Sequence, residues 1–128
     1  MSKAVFYDRF NTICDEFFKD LITSYPDLEP FKHLRSGFTL VKNCDPKSPQ
    51  RIFNSHVLTK YREHILSKNE DFFLTTNDIE ITNGKKEYWH EFINYIKIIW
   101  KTLDNENKEI IWKYFHSLLI LSDKISMQ

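Results

Sequence analysis

The sequence predicts an all-α fold, a single-domain bundle of about five helices spanning 1–128, whose last two helices form an antiparallel hairpin. Three observations carry that expectation. Apolar residues recur at helical spacing along most of the chain, helix-start signals fall where those periodic segments begin, and 128 residues suit one core and leave little room for a second.

In the first segment, at about 100° per residue, Phe6, Phe10, Ile13, Phe17 and Leu21 fall in one stripe with Asp8, Asp15 and Lys19 opposite. Pro26 closes the segment, so helix one is expected from about Ala4 to Ser24. In "DLEPFKHLRSGFTLVKNCD", Pro30 suits a helix start, and Phe31, Leu34 and Phe38 follow at spacings of three and four. Gly37 weakens this segment, which reads as a short helix.

"DPKSPQ" reads as a turn in which Ser48 caps the third helix and Pro49 opens it. That helix carries Phe53, Val57, Tyr61 and Ile65 at successive spacings of four and ends near Ser67. "NEDFF" suits one helical turn, and "LTTNDIEITNG" allows one short extended segment near 74–82. A lone hairpin is marginal in water, so the fold class stays all-α.

For helix four, Trp89, Phe92, Ile93, Ile96, Ile99, Trp100 and Leu103 span an arc of about 120°. Asp104 or Asn105 then caps helix five, with Glu106 and Glu109 where the helix dipole favours acids. Ile111, Tyr114, Phe115, Leu118, Ser122 and Ile125 share its inner side. The tetrapeptide Ile-Ile-Trp-Lys occurs in both helices, but Trp100 is mid-stripe while Trp112 lies about 100° from Ile111, so the repetition marks no structural repeat.

Composition bounds function. Aromatic residues make up 16% of the chain and formal net charge is zero, which indicates a folded chain rather than a disordered one. No run of 18 apolar residues occurs and "MSKAVFYDRF" lacks a signal-peptide core, so an intracellular protein with no membrane association is expected. Cys14 and Cys44 lack CxxC spacing and read as reduced thiols. No Gly-rich phosphate loop, HExxH or GxSxG motif is present, and the five histidines show no metal-ligand spacing. No catalytic residue, metal or cofactor is therefore expected, and the chain is not expected to be an enzyme.

Two binding surfaces remain. Ile98 and Ile120 fall about 180° from the stripes of their helices, and Trp112 is off-centre. With Tyr88 and Tyr95 these are the candidate contacts for a protein partner or for self-association. The alternative is nucleic-acid binding. Residues 31–62 hold seven bases against Asp45 alone, and Lys32, Arg35, Lys42, Arg51 and Arg62, interleaved with Phe31, Phe38 and Phe53, could contact phosphates and bases. The same band could instead pair with acids of its own domain, and those Phe residues sit at core spacing.

Three stretches, "FFKDLITSYPD", "YREHILSKNEDFF" and "IIWKTLDNENKEIIWKYFHSLLILSDK", give the chain a resemblance to short uncharacterised helical proteins of nucleocytoplasmic large DNA viruses, of the algal-virus and mimivirus type. An excess of lysine (14) over arginine (4) and a single alanine suit AT-rich coding of that kind. The resemblance implies a virus-encoded helical domain made in an infected cell, with a binding or virion-associated role and no catalytic residues to transfer.

Overall fold

The computed structural model describes residues 3–71 and 88–127, and among these every regular element is helical. Helix α1 is Lys3–Ser24, α2 Glu29–Cys44, α3 Ser48–Phe53, α4 Thr59–Leu66, α5 Tyr88–Trp100 and α6 Asn105–Ser126. A π-helical turn, Asn54–Leu58, joins α3 to α4 in one continuous rod. The expected extended segment near 74–82 lies outside the described residues, as do Phe72 and Phe73 of "NEDFF".

The π turn has a cause in the sequence. Residues four apart drift by about 40° per step on an α-helix, so Phe53, Val57, Tyr61 and Ile65 would spiral off the core face. A wider turn absorbs part of the drift. Phe53, Val57 and Ile65 are all fully buried, and Tyr61 packs at the rim of the core.

Local expectations are refined in two places. Helix α2 absorbs Gly37 and runs 16 residues, longer than the short helix the glycine suggests. At the next start, Asp45 rather than Ser48 supplies the turn chemistry: its carboxylate accepts from the Lys47 N–H at 3.1 Å and the Ser48 hydroxyl at 3.1 Å. Asp104 caps α6 as expected, accepting from the Asn107 N–H at 2.9 Å.

The core is one contiguous cluster organised around Phe92 of α5. Its ring meets Phe17 and Phe18 from α1 with centroids 5.2 and 5.1 Å away, and Phe31 from α2 and Phe115 from α6 at 6.4 Å each. Edge-to-face aromatic contacts of this kind contribute beyond the area they bury. Helices α5 and α6 run antiparallel, since Phe92 meets Phe115 while Trp100 meets Trp112, centroids 5.5 Å apart. The expected hairpin is present, but the most extensive packing of α6 is against α1.

Candidate interaction face along the α1–α6 seam

Helices α1 and α6, each of 22 residues, lie antiparallel. Phe17 stacks on Tyr114 at 4.4 Å with rings 4° from parallel, while Lys124 at the other end lies over the Phe6 ring at 5.8 Å. Along α1 the residues Arg9, Ile13, Glu16, Asp20 and Ser24 follow at spacings of three and four, so they line one flank of the helix. The facing flank of α6 carries Ile110, Tyr114, Ser117 and Leu121, with Ile120 at its outer edge.

Two clefts open along this seam. The first, of about 350 Å³, lies among Arg9, Ile13, Glu16, Ser117, Ile120 and Leu121. The second, of about 280 Å³, lies nearer the α1 C-terminus and has an apolar floor of Phe17, Leu21, Ile99, Leu103, Ile110 and Ile111. Its wall is polar: the Tyr114 hydroxyl donates a hydrogen bond to the Asp20 carboxylate. Burial first, and then that carboxylate, push the Tyr114 hydroxyl well above its ordinary pKa, so it stays a protonated donor. Ile110 is 41% exposed and Ile120 52%, while Ile13 is half-buried against the core.

The structure disperses the five residues expected to meet a partner. Ile120 lines the first cleft. Ile98 is 60% exposed on the outer side of α5 and lines neither cleft. Tyr95 packs against Phe31 with centroids 6.2 Å apart and borders a separate cleft between α2 and α5 with His33 and Glu91. The Tyr88 side chain lies outside the described residues. Trp112 is the correction: only 3% exposed and edge-on to Trp100, it is a core residue and presents no anchor. The buried face of α6, from Leu121 round to Trp112, spans about half its circumference because α1, α4 and α5 all touch it, so a residue read as off-stripe is still inside.

The basic residues of 31–62 turn largely to partners in the same chain. Arg35 forms two hydrogen bonds to Asp15, from Nε at 2.9 Å and from the guanidinium terminus at 3.4 Å. Arg62 makes a two-pronged pair with Asp123, tying α4 to α6. Lys32 pairs with Glu29 at 3.3 Å, and Lys42 lies over the Phe38 ring at 5.8 Å. Arg51 is exposed and acts on Asp45 through its charge. Phe31, Phe38 and Phe53 are buried, so their faces cannot stack on bases.

Trp100, fully buried, donates its indole N–H to Glu70 at 3.1 Å, and Lys108 pairs with the same carboxylate at 2.7 Å while lying over the Trp100 ring. The hydrogen bond from Lys108 leads in holding Glu70 below the usual carboxylate range. His116 bonds through its ring nitrogen to the Ile65 carbonyl. Among the described residues no group of three or more His, Cys, Asp or Glu side chains is placed to hold a metal ion. No described helix is long and apolar enough to cross a membrane.

Asp20 and Tyr114 are the site residues that sequence reasoning missed. They lie 94 positions apart, and no local pattern links them. No protein-family model, curated protein or solved structure matches the chain.

Proposed function

We propose that the protein is a non-catalytic interaction module that receives a helix of a partner protein in the α1–α6 seam. The observation that carries this reading is the row of Ile13, Ile110 and Ile120 along the open flank of an antiparallel helix pair, beside two clefts. Each helix of 22 residues is about 33 Å long, room for a partner helix of several turns. An amphipathic helix laid into such a groove is held by anchors at i, i+3, i+4 and i+7 that fill clefts of this size.

Ile110 and Ile120 are exposed in the chain alone, so replacing them has little to disrupt in the core. In affinity capture from expressing cells, done with nuclease present, the wild-type chain is expected to retain a protein. The Ile110→Asp/Ile120→Asp variant is expected to lose it while its thermal midpoint stays within a few degrees of wild type. Capture of nucleic acid alone, abolished by nuclease, or equal capture by the double variant, overturns the reading.

A further inference from the structure

We infer that the partner helix is basic, with a lysine or arginine one turn from an apolar anchor, and that it docks with the anchor in the Phe17–Ile110 cleft and the cation on Asp20. The inference rests on the seam being an interaction face and specifies the chemistry of its occupant.

Three features of that end of the seam favour a cation. The first is Asp20 itself, exposed at the cleft wall. It accepts one bond from Tyr114, whereas a carboxylate offers about four acceptor positions, so an ammonium or a forked guanidinium can be added. Second, Glu16 stands one turn before Asp20, on the first cleft and within electrostatic reach of Tyr114. Third, α1 has no basic residue in its last turn, and Leu21 and Ser24 of that turn line the cleft. The negative end of the helix dipole therefore lies at the cleft with no cation of its own helix opposing it. The positive N-terminus of α6 meets the cleft at the same end, but it is offset by its own cap Asp104 and by Glu106, which adjoin the lining residues Leu103 and Asn107 in sequence.

The bases nearby are largely committed elsewhere, and Arg9, which lines the first cleft with Glu16, stands about three helical turns before Asp20. Lys19 pairs with Asp15 at 3.3 Å and Lys108 with Glu70 at 2.7 Å. Lys101 and Lys113 are exposed and line neither cleft. An apolar floor beside the Asp20 carboxylate, with no base among the lining residues, accepts a Leu, Ile or Phe anchor together with a positive charge at i+3 or i+4, the spacing that puts both on one helix face. An acidic helix would bring like charges together and be rejected.

The probes are two synthetic amphipathic helices of roughly 18 residues with the same Leu pattern, one carrying Lys and the other Glu on the polar face. Titrated against the full chain, the Leu/Lys peptide is expected to bind at least about tenfold tighter than the Leu/Glu peptide, and Asp20→Asn to weaken it about tenfold, the size of one charge-assisted hydrogen bond. Amide chemical shifts should move at residues 16–24 and 103–114. Asn can still accept from Tyr114, so Asp20→Asn removes charge with the least change of shape.

Tighter binding of the Leu/Glu peptide at those same amides overturns the charge assignment and leaves the seam standing as an interaction face. Shifts confined to other faces, or no binding by the Leu/Lys peptide, overturn the inference. A concentration-dependent dimer in sedimentation that disappears with Ile110→Asp gives the seam to a second copy and overturns it too.

Discussion

Asp15 shows how a single position changes meaning between sequence and structure. On the helical wheel it is a solvated acid opposite the stripe; in the structure it carries two hydrogen bonds from Arg35 of α2 and a pair with Lys19. The Arg35 bond is the leading reason that its carboxyl is held below the ordinary value of 3.8. A depressed folded pKa means stability that is present above pH 3.8 and lost as pH falls through the lower folded value. Arg35→Gln is expected to cost less than about 1 kcal/mol near neutral pH, because the pair is partly exposed, and the difference should vanish in strong acid. Chemical denaturation at a series of pH values checks both. The cysteines separate in the same way: Cys14 is buried in the core, with its thiol pushed up by burial, and Cys44 is exposed. A thiol reagent is expected to titrate Cys44 rapidly in the native protein and Cys14 only on unfolding; two fast equivalents would contradict that placement.

At the scale of the element, most of what makes each helix is local. The stripe of α5 is contiguous and periodic, and its six residues from Trp89 to Trp100 are all buried. The start of α6 is set by Asp104, whose carboxylate meets the Asn107 N–H. Asp104→Ala is expected to destabilise the protein by about 1 kcal/mol, and Asp104→Asn or Asp104→Ser by much less, as read from urea midpoints. The C-terminus of α4 is less legible. Lys68 takes a left-handed conformation, φ 52°, so that the Asn69 N–H can reach the His64 carbonyl at 2.9 Å. Glycine usually fills that position, so the stop carries no glycine signal in the sequence. The π turn is implicit in the spacing of Phe53, Val57, Tyr61 and Ile65, but a pattern of fours can also end a helix, and only core packing shows that it widens a turn instead.

For the whole molecule, the aromatic residues tie the helices into one cluster, and Trp112 belongs to it. Trp112→Ala is therefore expected to cost about 3–5 kcal/mol of folding stability, a large share of a typical domain's total, with Trp112→Phe costing less. Equilibrium unfolding measures this; a loss below about 1 kcal/mol would place Trp112 outside the core after all. The helices and their inward faces were legible from the sequence because helix period, proline positions and capping act over a few residues. Which helix packs on which was not. The hydrophobic effect is non-directional, so one apolar stripe satisfies another almost regardless of partner. The choice of α1 as the main partner of α6 rests on the fit of Phe17 against Tyr114 and Phe115 and on the Asp20–Tyr114 bond, between residues 94 positions apart in the sequence. The sequence by itself determined an all-helical chain with more apolar surface than two narrow stripes use. Tertiary structure alone decided that Trp112 goes inside while Ile110 and Ile120 stay at the seam, because burial at a helix rim depends on how many neighbours close around it.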